Sequence, residues 1–326
     1  MPLTPQRILN VHNPDFTLPS FAKINLGLRI LGKRPDGYHE IRTVLQTISL
    51  HDNLQFTATT GNDILLSCAE PGIPCDRRNL IVRAAYKLRD RYGINRGAKI
   101  HLEKTIPVQG GLGGGSSNAA VTLFGLADLW EIKKDIAELT EVASELGADV
   151  PFFLHGGRAS ASGIGTLILP LPDCESMHLV VVSPTASVPT EEAYKALNSP
   201  ALTTSNSESI LSISRTEADL ANSDLRHPYN HLRNDFEQVI FDIEPEIERA
   251  KRVLLQAGAV NALLAGSGSS VFGIFENQEG QQRAICELSV ERNWRVFSCV
   301  TLSRDEYLRA LVPAGGRSSS NYLENQ

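Results

Sequence analysis

The chain has 326 residues, of which 42% are hydrophobic and 21% charged, so it has the composition of a globular protein with room for two apolar cores. Its longest apolar runs fall far short of the roughly 20 residues a bilayer-spanning helix needs. A formal charge of −6 excludes a general affinity for nucleic acid, so a phosphate-bearing ligand must be held locally, by backbone amides and a few placed cations.

Pro2, Pro5, Pro14 and Pro19 interrupt the first nineteen residues and no continuous apolar run follows, so no secretory signal is expected and the protein should act in the cytoplasm. Cys68, Cys75, Cys174, Cys286 and Cys299 are scattered without a C-x-x-C pair, which points to reduced structural thiols. Residues 20–31 read as a strand, residues 32–37 as a turn, and residues 41–50 as a second strand. A short strand is expected at 64–68. Residues 79–92 place Leu80, Ala84, Ala85 and Leu88 at helical spacing, with Gly93 just past the end. A strand at 99–103, a glycine loop and a helix over 116–130 follow directly, then a helix at 135–146 that Gly147 ends. A boundary near residue 157 separates an expected N-terminal domain, 1–157, from a C-terminal domain, 158–312. In the second, residues 179–182 read as a buried strand. Residues 199–223 are rich in Ser, Thr and Asn and read as a long surface segment. Helices at 232–241 and 246–256 precede a strand at 260–265, a loop at 266–270 and a strand at 271–275. The tail, 313–326, is Gly- and Ser-rich and expected to be disordered.

The segment Pro107-Val108-Gln109-Gly110-Gly111-Leu112-Gly113-Gly114-Gly115-Ser116-Ser117-Asn118 carries the most chemistry. A simple connection needs one or two glycines; this many, next to a helix N-terminus, let backbone N–H groups face an anion where the helix dipole also favours negative charge. The loop therefore suits a polyphosphate, and a hydroxyl of Ser116 or Ser117 is placed to join a magnesium shell. Ser116 stands where a Walker loop needs Lys and where a dinucleotide fingerprint counted from Gly111 needs its last Gly, so both are excluded.

This loop resembles the phosphate-binding motif of the galactokinase, homoserine kinase, mevalonate kinase and phosphomevalonate kinase superfamily. Pro19-Ser20-Phe21-Ala22-Lys23-Ile24-Asn25-Leu26 looks like its N-terminal motif, and Leu264-Ala265-Gly266-Ser267-Gly268-Ser269-Ser270-Val271-Phe272 like its C-terminal glycine loop. The resemblance implies an α+β fold of two domains with the active site in the cleft between them, and ATP with Mg2+ as the phosphoryl source. It also implies that Asp149 accepts the proton of an acceptor hydroxyl, assisted by Lys23; Asn25, two residues after Lys23 on a strand, shares its face and is placed to bind the acceptor. Asn79, Leu80 and Lys104 fall near the nucleotide base and sugar, Pro107 and residues 110–118 near the phosphates, and Thr190, Gly266, Ser267 and Gly268 on the acceptor side.

Within the superfamily, Gly32-Lys33-Arg34-Pro35-Asp36-Gly37-Tyr38-His39-Glu40 and Leu146-Gly147-Ala148-Asp149-Val150-Pro151-Phe152-Phe153 are similar to segments of kinases whose acceptor is 4-diphosphocytidyl-2-C-methyl-D-erythritol. Tyr38 and His39 can then stack on cytosine and bond its edge, and Tyr194 falls where a second aromatic is implied. Each residue also has a plainer reading: Asp149 capping a turn, Lys23 and Lys104 solvated at a strand, Asn79 capping a helix, Tyr194 packing in a core. A homoserine or mevalonate-type acceptor and a catalytically silent nucleotide-binding regulator are the alternatives. The protein is expected to be a monomer or weak homodimer that binds small molecules and neither nucleic acid nor membrane. The sequence departs from the family pattern in the length before Pro19, in the expanded 199–223 segment, and in Gln109, where a small residue is common.

Overall fold

The computed structural model describes residues 15–197 and 232–313. The expected 199–223 segment and all of the tail after Pro313 lie outside the described residues.

Two long strands, β1 (Asp15–Lys33) and β2 (His39–Ala58), form an antiparallel hairpin at the turn that Gly37 makes with φ 90°. Both run further than the sequence suggests, because register shifts at Phe21/Ala22, Asn25/Gly27 and Ile30/Gly32 let one strand serve several environments. With β3 (Ile64–Cys68), β4 (Ala98–Glu103), β5 (Arg158–Gly163) and β6 (Leu167–Pro170) they make a six-stranded sheet in the order β3-β4-β2-β5-β6, with β1 on β2. β3 and β4 are parallel, joined by α1 (Leu80–Tyr92), which Asn79 caps through Ile81 N and Gly93 ends in the left-handed conformation. Helices α2 (Gly114–Leu129), α3 (Ile136–Ser144) and α4 (Phe152–His155) follow. A second, antiparallel sheet has the order β10-β7-β9-β8, from β7 (His178–Pro184), β8 (Asn261–Leu264), β9 (Val271–Phe275) and β10 (Trp294–Val300). It is accompanied by α5 (Thr190–Ala196), α6 (Glu237–Ile243), α7 (Pro245–Gln256) and α8 (Gln278–Leu288), and α9 (Arg304–Ala310) closes the described chain.

The period-2 alternation of the strands produces a layered order of helices, sheet, sheet and helices. Leu179 and Val181 face a central core with Ile24, Leu26, Phe272 and Ile274, whereas Val180 and Val182 face the helices α7 and α8 through Leu254 and Ala284. On the far side of the first sheet, Leu45, Leu54 and Phe56 pack with Leu123 and Phe124 of α2. Each such side chain contributes about 1.5–3 kcal/mol when fully buried, so a charged residue at Val181 would break the central layer. The mixed α/β arrangement of two sheet bodies with a cleft between them is the expected architecture.

Several boundaries differ. α2 begins at Gly114 rather than at residue 116, because Ser117 N already donates to Gly113 O at 2.8 Å. The helix expected at 232–241 forms only from Glu237. Residues 233–235 instead run beside β1, with Leu28 N donating to Arg233 O and Asp235 N to Leu28 O. β5 and β6 follow residue 157 yet belong to the first sheet, and Tyr307 and Leu308 of α9 return to its core. By sheet membership the first body therefore continues past 157 to Pro170.

Candidate active site

A cleft of about 1180 Å³ runs between the two bodies. One end is lined by Ile73, Asn79, Leu80, Leu102, Lys104 and the glycine loop, the other by Tyr38, His39, Thr43, Thr190, Tyr194 and Phe236. Lys23, Asn25 and Asp149 lie on its wall, with Gly266 and Ser267.

The loop owes its path to backbone ties. Leu112 O accepts from Lys23 N at 2.9 Å, Gly110 O from Ser270 N at 3.1 Å and Gln109 O from Ser269 N at 3.2 Å. These carbonyls are engaged with β1 and the C-terminal glycine loop, and by helix geometry the first amides of α2 have no intrahelical partner, which favours an anion there. Gly111 is required twice over: its φ is +74°, and a Cβ would stand 1.8 Å from Ala265 O. Gly113, at φ +70°, has no room either, since a Cβ would meet the Phe153 ring at 2.9 Å.

Lys23 and Asn25 share a face because they are two apart on β1. Lys23 Nζ donates to Asn25 Oδ1 at 2.8 Å, Asn25 Nδ2 to Thr43 Oγ1 at 2.8 Å, and Thr43 Oγ1 to Gly27 O at 2.6 Å. This relay aims the ammonium at Asp149, whose Oδ2 is 3.5 Å away; the Lys23 side chain is 5% exposed and that of Asp149 37%. The turn at Asp149 is closed by Val150 N donating to Gly147 O, backbone to backbone, so the carboxylate is not needed as its cap. Asn25 uses both ends of its amide on Lys23 and Thr43, so its direct part is to orient the lysine.

At the acceptor end Tyr38 is 62% exposed over the cleft. His39 stacks on Tyr194, with ring centroids 5.0 Å apart and planes at 27°, and Tyr194 meets Phe236 edge-on at 4.9 Å. Burial, aided by the charge of Lys33, lowers the His39 pKa and keeps the imidazole neutral. Burial also pushes Tyr194 up to about 12, with the Asp149 carboxylate adding to the shift. Thr190 Oγ1 and Ser267 Oγ lie 3.0 Å apart across the cleft wall.

At the nucleotide end Lys104 is 8% exposed and its ammonium donates to the fully buried Asp52 at 2.6 Å. Desolvation lowers its pKa despite that partner. Breaking such a buried pair by removing one partner typically costs about 3–5 kcal/mol.

Two of the expected residues do not line the cleft. Ser117 is fully buried with its Oγ accepting from Ser20 Oγ at 2.8 Å, so the helix turns it away from the cleft and leaves Ser116 as the hydroxyl at the phosphate end. Gly268 is buried behind Gly266 and Ser267, because its N–H closes a turn to Ala265 O. Asn118 borders the cleft, but its Nδ2 is taken by Ser20 and Asp52. Asn79 both lines the cleft and caps α1, so its plainer reading holds alongside the functional one. Sequence reasoning passed over Asp52, Thr43 and Phe236. Asp52 had a signal: it sits in phase with Leu50, Leu54 and Phe56, the inward positions of a strand that the sequence reading ended too early.

Models of the GHMP kinase N-terminal and C-terminal domains match residues 79–157 and 217–291. Together with the relatives below, this places the chain in the GHMP kinase family, as an ATP-dependent kinase. Within that family it is 39% identical over 274 residues to the 4-diphosphocytidyl-2-C-methyl-D-erythritol kinase of Lachnoclostridium phytofermentans, covering 84% of this chain and 92% of that protein. It is 41% identical over 266 residues to the enzyme of the same name from Pelotomaculum thermopropionicum, covering 80% and 90%. A crystal structure of 4-(cytidine 5'-diphospho)-2C-methyl-D-erythritol kinase superposes with a TM-score of 0.71 at 32% identity, over 88% of this chain and 100% of that one. The homoserine kinase of Cytophaga hutchinsonii also reaches 0.71, at 18% identity over 93% and 98%, a likeness of fold alone. Among the described residues no helix is long and apolar enough to cross a membrane.

Proposed function

We propose that the protein transfers the γ-phosphoryl group of ATP to the 2-hydroxyl of 4-diphosphocytidyl-2-C-methyl-D-erythritol, giving the 2-phosphate and ADP, as a cytoplasmic step of non-mevalonate isoprenoid precursor synthesis. The observation that carries this reading is the meeting of Lys23 and Asp149 at 3.5 Å, between the glycine loop and the Tyr38–His39 end of one continuous cleft. Phosphoryl transfer asks little covalent work of a protein and much alignment and charge stabilisation. Asp149 takes the hydroxyl proton as the acceptor oxygen bonds to the γ-phosphorus and the bond to the β-phosphate oxygen breaks, releasing ADP. Lys23, held by Asn25, keeps the carboxylate ionised and steadies the incoming oxygen. Tyr38 stacks on cytosine, while His39, fixed against Tyr194, offers a neutral ring to the base edge.

A magnesium ion carried on the nucleotide's own phosphates would have the Ser116 hydroxyl beside it at the start of α2. There it would neutralise phosphate charge. The names of the chain's relatives support the acceptor, and the deciding experiment is ADP release measured with the cytidyl substrate beside homoserine and mevalonate. Turnover with either of the latter and none with the former would overturn the assignment.

A further inference from the structure

We infer that Asp52, which stands outside the cleft lining, is the positioning residue that sets the span of the glycine loop and so the seat of the nucleotide phosphates. Asp52 Oδ1 accepts from Thr105 N at 2.7 Å and Ile106 N at 2.8 Å, where the chain enters the loop. Its Oδ2 accepts from Lys104 Nζ at 2.6 Å and from Asn118 Nδ2 at 2.9 Å, the latter on α2 where the chain has left the loop. One carboxylate thus clamps both ends of the segment that carries Gly110, Gly111 and Gly113.

The clamp rests on a rigid base. Asp52 pairs in register with Ser20 across β1 and β2, and Ser20 Oγ accepts from the same Asn118 amide at 2.9 Å while donating to Ser117 Oγ at 2.8 Å. From the other body, Arg295 donates to Thr105 O at 2.8 Å. Asp52 is fully buried, so removing its charge leaves several donors without a partner and without water.

Charge and geometry predict opposite signs here. Asp52 and Lys104 cancel one another, and Lys104 Nζ lies against the start of α2, 3.0 Å from where a Cβ of Gly114 would be. If Asp52 acted only by its charge, Asp52→Asn would leave the ammonium unopposed and ATP would bind more tightly. If Asp52 holds the loop, ATP binds more weakly. The charged and titratable groups that act on Lys104 are Asp52, Cys68 and Arg295; desolvation lowers its pKa and Asp52 opposes that most strongly. Loss of Asp52 therefore lowers the Lys104 pKa further, and nucleotide binding that needs its proton fails at a lower pH.

The inference rests on the kinase reading only through the nucleotide. The test is titration of Asp52→Asn with ATP and with ADP in the absence of acceptor, followed by steady-state constants and the pH dependence of ATP binding. Nucleotide affinity is expected to fall by on the order of tenfold. The acceptor constant should stay within about twofold, as for a lost nucleotide-side interaction. The alkaline limb of ATP binding should move to lower pH. Unchanged or tighter nucleotide binding overturns the inference, and so does a parallel rise of both substrate constants. Should Asp52→Asn fail to fold, Asp52→Glu takes its place: it keeps the charge and displaces the clamp, so ATP should weaken with the alkaline limb unmoved, and unaltered ATP affinity overturns the inference. Because the titrations need no acceptor, an error in the acceptor assignment would leave their outcome standing.

Discussion

Lys23 Nζ stands between two oxygens, 2.8 Å from Asn25 Oδ1 and 3.5 Å from Asp149 Oδ2. The shorter contact fixes the ammonium in the protein, and the longer one keeps it beside the carboxylate, so an acceptor hydroxyl approaching from the cleft can meet both groups side by side.

Lys23→Ala and Asp149→Asn should each lower turnover by about 10²–10⁴-fold, the range of general acid–base contributions, while substrate affinities change little. Because the two groups act on one hydroxyl, the double variant should be scarcely slower than the worse single. Turnover rates of the three variants, with affinities by titration, check this. Near-full activity in Asp149→Asn would mean that the carboxylate takes no proton.

Tyr38→Ala should raise the acceptor constant by about five- to 150-fold, since stacking on an aromatic is worth ~1–3 kcal/mol per base. The ATP constant should hold. Tyr38→Phe keeps the ring and should restore acceptor binding; equal losses for both substrates would remove Tyr38 from the base pocket.

Two glycines of the loop should behave differently. Gly111→Ala must place a methyl 1.8 Å from Ala265 O at φ +74°, so melting temperature and ATP binding should both fall, the left-handed backbone alone costing about 1–2 kcal/mol. At Gly115 the nearest atom to an added Cβ is a Leu80 methyl at 3.8 Å. Gly115→Ala should therefore keep or raise stability, by up to about 1 kcal/mol for a helical position, while its methyl intrudes on the cleft and weakens ATP. Thermal melts beside ATP titrations separate the two effects.

The acceptor end should show a one-sided pH response. Burial and Lys33 lower His39 below its ordinary value of 6.5, so the folded state resists protonation of the ring. Its stability contribution is complete above 6.5 and is lost as pH falls through the depressed folded value. The acceptor kcat/KM should thus stay level from about pH 8 to 6.5 and decline only below that. A decline centred above 6.5 that survives in His39→Gln would assign the limb to another group.

The legible part of the molecule was the part with local chemistry. Asn79 before α1 and Gly93 after it announce themselves by residue type, because caps and left-handed turns depend on one or two residues, and the glycine run announces an anion loop without stating where α2 begins. Lys23 and Asp149 became legible only through a resemblance, since a strand lysine and a turn aspartate each have ordinary uses. The phase of Asp52 with Leu50 and Leu54 states that it points inward, but its partners and those of Thr43 arise from strand pairing, which sets Ser20 opposite Asp52 and brings Asn25 and Gly27 to Thr43. The helix expected at 232–241 does not form before Glu237 for a related reason: Asn234 Nδ2 donates to Leu264 O and Gly266 O, a long-range attraction that overrides helical propensity.

The apolar layer between the sheets joins the two bodies into one mechanical unit. Swinging them apart would pull Ile24 and Leu26 away from Leu179, Val181 and Phe272, exposing surface at roughly 25 cal/mol per Å². Traffic through the cleft then falls to its rim, to the turn before Tyr38 and to α5 with Thr190 and Tyr194. Crosslinking the sheets across their buried layer should leave product exit unhindered, whereas stiffening either rim segment should slow it.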